Sequence, residues 1–150
     1  MLIARLQGTS LIDLPGSVSC VIYTQGCNLS CEYCHNPGLM SMGNDASGVL
    51  WQDVVRFLQM RAGFLDAVVF SGGEPTLHSD LPEKIEIVRS MGFLAGVHTN
   101  GFAIPDADYL LLSHATPEKT EIAKKKTERL ALSVVRKNAR GEWQNFITEV

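Results

Sequence analysis

Three cysteines fall within eight residues, Cys27, Cys31 and Cys34, in the spacing C-x3-C-x2-C. A strand-like run over 17–24 delivers the chain into this loop, and no other cysteine lies near enough in sequence to serve as a fourth ligand. Three thiolates can hold three corners of a cubane iron–sulfur cluster and leave one iron without a protein ligand. A metal with an open position can bind and activate a substrate, as in catalytic rather than structural sites. The remaining chain then reads as the scaffold and cosubstrate site around that iron. The plainer reading is structural zinc, which prefers four closed ligands, often as paired C-x2-C units. Here the fourth candidate is His35, which follows Cys34 directly and is awkward as a tetrahedral partner, so zinc stands second.

Cys20 stands apart. It shares a strand face with Val18 and Ile22 and reads as a buried free thiol acting as a small hydrophobe. Clustered thiols in a chain of cytosolic type more often bind metal than pair as disulfides. No apolar run reaches membrane-spanning length, and the N-terminus lacks the layout of a signal peptide, so a cytoplasmic location without membrane partners is expected. Residues 1–115 carry five Lys/Arg against eleven Asp/Glu, and residues 116–150 carry eight against five. The acidic front is no electrostatic match for nucleic acid.

At 150 residues the chain has the length of one domain. Leu2, Ile3 and Leu6 suggest an edge strand, and Asp13-Leu14-Pro15-Gly16 is turn chemistry. Alternation predicts a core strand over 17–24, and helical spacing of Leu50, Trp51, Val54, Val55 and Leu58 predicts a helix over 50–62. The continuous apolar run 66–71 has the look of a buried parallel strand and feeds Gly72-Gly73-Glu74-Pro75. Asp80 with Glu83 forms a capping-box pattern ahead of a second helix closed by Gly92. A third strand, 93–97, ends in His98-Thr99-Asn100-Gly101, and 105–114 reads as a short third helix. Beyond it, 118–129 is a nearly all-polar helical stretch, 130–135 a candidate fourth strand, and 136–150 has no clear period. Strand–helix alternation argues for parallel βαβ units, whose active sites gather at the C-terminal strand ends. The Cys loop, Gly-Gly-Glu-Pro and Thr-Asn-Gly all fall there.

These motifs, with Tyr33 just before the third cysteine, resemble the radical S-adenosylmethionine superfamily. Thr24-Gln25-Gly26-Cys27-Asn28, Cys34-His35-Asn36-Pro37 and Ser71-Gly72-Gly73-Glu74-Pro75 resemble glycyl-radical-enzyme activases, most of all the anaerobic ribonucleoside-triphosphate reductase activating proteins. The resemblance implies that Cys27, Cys31 and Cys34 bind a [4Fe–4S] cluster whose open iron chelates S-adenosylmethionine. Reductive cleavage would give a 5′-deoxyadenosyl radical that takes a hydrogen from a glycine of the partner enzyme, with a flavodoxin or ferredoxin as electron donor. It implies no catalytic side chain beyond the cluster ligands. Gly72 and Gly73 would admit the cosubstrate to the backbone, and Glu74 would accept from the methionine amine. Tyr33 and His35 would flank the adenine, and Asn100 would hold the ribose or methionyl moiety.

The resemblance covers about residues 1–113. The expected fold is α/β, a partial barrel of about three βα units over 1–115, followed by a charged, helical tail over 116–150. The later barrel strands have no recognisable counterparts after His114, so the chain reads as a truncated or rearranged copy, or as half of a barrel that another chain completes. Two rival functions stay open: another radical enzyme of the superfamily with a small-molecule substrate, and a shortened iron–sulfur-binding domain that does not complete the reaction.

Overall fold

The computed structural model describes residues 1–43, 48–103, 107–112, 134–137 and 143–145. Among the described residues seven strands form one sheet in sequence order: β1 (Ile3–Ser10), β2 (Ser19–Thr24), β3 (Ala67–Gly72), β4 (Leu94–Thr99), β5 (Tyr109–Leu112), β6 (Val134–Lys137) and β7 (Trp143–Asn145). β2 to β5 are mutually parallel, β1 runs antiparallel along β2, and β6 and β7 continue antiparallel beyond β5. Two helices make the crossovers, α1 (Trp51–Met60) between β2 and β3 and α2 (Leu81–Ser90) between β3 and β4. Crossovers of one hand, taken always toward the next strand, put their helices on one face of the sheet, as in a barrel.

That packing follows the side-chain period. Val54 and Leu58 of α1 and Leu81, Ile85 and Val88 of α2 lie on one stripe of each helix and are buried. They meet Cys20, Ile22, Val68, Phe70, Ala95 and Val97, the alternate residues of three strands. The opposite strand faces carry Val21, Ala67 and Val69, covered by Leu14 from the turn after β1. Cys20 is fully buried, and desolvation pushes its thiol up to about 12.

Three sequence expectations change. Tyr109–Leu112 is a strand, not part of a helix: the four apolar residues pair with Gly96–Thr99 of β4 in parallel register. The capping box at α2 does not form, because the Asp80 carboxylate binds the Met1 ammonium at 2.5 Å instead of the helix N–H groups. In the tail, β6 runs past the expected strand 130–135 to Lys137, and β7 falls in the stretch that showed no clear period. The polar stretch 118–129 lies outside the described residues. Among the described residues no helix is long and apolar enough to cross a membrane.

Candidate cluster and cosubstrate site

The cysteine loop leaves β2 and is closed at its root before the first cysteine. Gly26 N–H donates to Leu39 O at 2.7 Å and Cys27 N–H to Met40 O at 3.2 Å, so the outgoing and returning limbs pair like a short ladder. The Gln25 amide donates across the same root to Gly38 O and Ser41 O, at 3.3 and 2.8 Å. A 3-10 turn over Pro37–Leu39 brings the chain back. Beyond the root, Cys34 N–H reaches Cys31 O at 3.1 Å and Leu29 N–H reaches Cys27 Sγ at 3.4 Å. All three cysteines are free and half-buried, and all three line one cavity of about 440 Å³ at the C-terminal ends of β2, β3 and β4. Among the described residues no three His, Cys, Asp or Glu side chains stand close enough to share a single ion. Three sulfurs spaced around one cavity are the donor set of a cluster whose irons occupy separate corners, so the residues fit that group.

The Gly-Gly-Glu-Pro turn fastens this loop to β3. Gly73 N–H donates to Thr24 O at 2.9 Å and Glu74 N–H to Gly26 O at 2.8 Å. Both glycines are obligatory for this docking. A Cβ on Gly72, whose φ is 112°, would stand 2.3 Å from Thr24 N, and one on Gly73 would stand 2.0 Å from Gly26 O. The space left by their missing side chains is therefore filled by this chain's own backbone, although both residues also border the cavity.

Glu74 follows in the same turn. It is fully buried. Its Oε1 accepts from Thr76 N–H at 3.0 Å, Thr76 Oγ1 at 2.5 Å and Thr99 Oγ1 at 2.7 Å, and its Oε2 accepts from Asn100 N–H at 2.7 Å. Four donors from the protein explain how a carboxylate is accommodated without a cation beside it. The side chain is absent from the cavity wall, and its carboxylate joins β3 to β4 through Thr99 and Asn100. Asn100 does line the cavity, yet its amide nitrogen points at the cysteine loop, 2.9 Å from Asn28 Oδ1 and 3.9 Å from Cys27 Sγ. His35 borders the cavity; Tyr33 is 64% exposed and does not.

The cavity also takes in Asp13 and Tyr23, together with the strand-end residues Ser71 and His98. Tyr23 pairs with Ser71 across β2 and β3, and Ser71 Oγ lies 3.3 Å from His98 Nδ1. His98 Nε2 lies 2.9 Å from the Asp13 carbonyl, which can only accept, so the ring proton is on Nε2 and Nδ1 accepts from the Ser71 hydroxyl. Burial holds the His98 pKa below its ordinary value and favours this neutral form. The signal was in the strands themselves: each departs from apolar to polar at its last inward position.

A family model described as the Radical SAM superfamily matches residues 21–134. A protein of Methanocaldococcus jannaschii named for glycyl-radical enzyme activation is 39% identical over 103 residues, covering 67% of this chain and 40% of that protein. The pyruvate formate-lyase-activating enzyme of Streptococcus mutans is 33% identical over 93 residues, covering 59% and 34%. The chain thus spans well under half the length of these relatives. The crystal structure of QueE from Escherichia coli superposes with a TM-score of 0.62 at 19% identity, over 77% of this chain and 60% of that one, and shares its fold. Members of the matched superfamily use a [4Fe–4S] cluster and S-adenosylmethionine. With its three cysteines on one cavity at the ends of parallel strands, this chain belongs to the Radical SAM superfamily.

Proposed function

We propose that Cys27, Cys31 and Cys34 hold a [4Fe–4S] cluster and that the chain uses it with S-adenosylmethionine to activate a glycyl-radical enzyme, an anaerobic ribonucleotide reductase in the cytoplasm. The carrying observation is that motifs at three separate strand ends line one cavity: the three cysteines after β2, Gly72 and Gly73 at β3, and Asn100 after β4. Held by Cys27, Cys31 and Cys34, such a cluster would supply the one-electron reduction of the S-adenosylmethionine sulfonium, the chemistry that would give methionine and a 5′-deoxyadenosyl radical able to take a hydrogen atom from a glycine. The chain's own part is to hold and orient. Gly72 and Gly73 border the cosubstrate's space with backbone, and His35 stands at the rim where the adenine would lie, with Tyr33 beyond it. Residues 1–115 supply the core of this site, and a flavodoxin or ferredoxin supplies the electron.

The likeness to relatives named for glycyl-radical enzyme activation supports the class of partner. The Gln-Gly-Cys-Asn and Cys-His-Asn-Pro phrases favour an activase over an enzyme with a small-molecule substrate, and the resemblance of the front section as a whole favours the reductase. A second reading is an iron–sulfur-binding domain that holds the cluster and cleaves nothing. Anaerobic reconstitution with iron and sulfide, reduction and addition of S-adenosylmethionine decides between them. 5′-Deoxyadenosine, followed by a glycyl-radical signal on added reductase, is the expected result. A cluster without cleavage selects the second reading, and cleavage without a glycyl radical points to a small-molecule substrate.

A further inference from the structure

Asn100 is 7% exposed, and its backbone N–H and both ends of its side-chain amide are engaged. Its Oδ1 accepts from Phe102 N–H at 3.0 Å, which fixes the orientation of the amide, since only the carbonyl end can face that donor. The NH2 end then has one hydrogen for Asn28 Oδ1 at 2.9 Å and one for Cys27 Sγ at 3.9 Å, a long contact of the kind that a large sulfur acceptor permits. Cys27 Sγ accepts a second bond, from Leu29 N–H. Behind Asn100 stands Glu74, fully buried, whose Oε2 takes the Asn100 backbone N–H at 2.7 Å.

We infer that Asn100 tunes the cluster through Cys27, its amide donating to the ligand sulfur and raising the cluster's reduction potential, and that Glu74 is the buried latch that holds this amide in place. The inference rests on the cluster reading given above. Its physical basis is charge. Reduction adds an electron to a thiolate-bound cluster, so an N–H dipole aimed at a ligand sulfur stabilises the reduced form more than the oxidised one. Both are positioning residues; neither needs to touch the cosubstrate.

The test compares the wild-type chain with Asn100→Ser, Asn100→Asp and Glu74→Gln after anaerobic reconstitution with iron and sulfide. Iron content and far-UV circular dichroism are read first. A redox titration followed by electron paramagnetic resonance is then run without S-adenosylmethionine, and a titration with S-adenosylmethionine follows. Serine and aspartate can both still accept from Phe102 N–H, so the local turn survives while the donors to Cys27 and Asn28 are lost. Iron content should stay at the wild-type level. The potential should fall in Asn100→Ser and fall further in Asn100→Asp, where a carboxylate faces the sulfur. Glu74→Gln should move it the same way by less, because its amide nitrogen cannot accept from Asn100 N–H while its oxygen still serves Thr76 and Thr99. If Asn100→Ser does not fold, Asn100→Asp decides. An unshifted potential in the Asn100 variants overturns the inference, and weakened S-adenosylmethionine binding with that result would assign Asn100 to the cosubstrate. Loss of iron from a folded Asn100 variant also overturns it, by making Asn100 an assembly residue. A shift in Asn100→Ser with none in Glu74→Gln overturns the latch. A wild-type chain that takes up no iron overturns the cluster reading itself, whereas wild-type loading with unshifted variants overturns this inference alone.

Discussion

On the helix side of the sheet, Cys20, Ile22, Val68, Phe70, Ala95 and Val97 are buried against Val54, Leu58, Ile85 and Val88. On the other side the same strands present Val21, Ala67 and Val69 and then, at their C-terminal ends, Tyr23, Ser71 and His98 beside the cysteine cavity. Both faces come from one alternating pattern, and only the last inward position of each strand differs. The helix side concentrates apolar burial, the main favourable term in folding. The inner side gives up part of that burial at its upper end to keep polar groups and glycine backbone at a cavity. Substitutions should therefore separate into two classes: those on the helix side lower stability, and those at the inner strand ends change what the cavity holds while the fold persists.

The sharpest break of this comparison comes from the cysteines. Cys27→Ala, Cys31→Ala or Cys34→Ala should each abolish cluster loading, read as iron and sulfide per chain, with the far-UV spectrum of the metal-free protein unchanged. Cys20→Ala should load normally and lose about 1 kcal/mol of stability, the scale of one buried heavy atom. A Cys20 variant that cannot load would undo the division of the four thiols. Next in size is Phe70→Ala, which removes a fully buried ring between sheet and helices. It should cost ~3–5 kcal/mol in denaturant unfolding. Gly73→Ala tests the opposite side: its Cβ would meet Gly26 O at 2.0 Å, so the cysteine loop must shift. A cost of about 1–3 kcal/mol is expected, with iron loading lost out of proportion to stability. Normal loading in that variant would mean that the Gly-Gly turn does not set the loop's position.

The smallest effect is on pH. Burial holds His98 and His78 below the ordinary histidine value of 6.5. The unfolded chain therefore takes up protons near pH 6.5 that the folded chain refuses until lower pH. The stability tied to their neutral forms is complete above that value and is lost as pH falls below it. Urea midpoints should decline from pH 7 toward pH 5, and His98→Gln should flatten the slope. An unchanged slope in His98→Gln would show that the inner-face histidine does not resist protonation.

Much of the framework was legible because it is local. Alternation marked β2, periodicity marked α1 and α2, and the three motifs fell at strand ends without any knowledge of the sheet. Tyr109–Leu112 was misread because a four-residue apolar block has no period to distinguish strand from helix, and only its pairing with β4 decides. Asp80 has the chemistry of a helix cap, but the Met1 ammonium, distant in sequence, takes it. The role of Glu74 was hidden for a similar reason. Two of its donors, Thr99 Oγ1 and Asn100 N–H, lie 25 and 26 residues away and become neighbours only when β3 and β4 pair. Motif residues announce a site in sequence, but whether each faces the ligand or braces its neighbours is decided by tertiary contacts.

The central claim is that one cavity joins the three cysteines to the strand ends as a combined cluster and cosubstrate site. The most direct measurement is the electron paramagnetic resonance spectrum of the anaerobically reconstituted, reduced chain before and after S-adenosylmethionine is added. A combined site should give ~4 irons per chain, a cluster signal that needs Cys27, Cys31 and Cys34 but not Cys20, and a change in that signal when S-adenosylmethionine binds. A chain that takes up zinc in place of the cluster, or a cluster signal that S-adenosylmethionine leaves untouched, would contradict it.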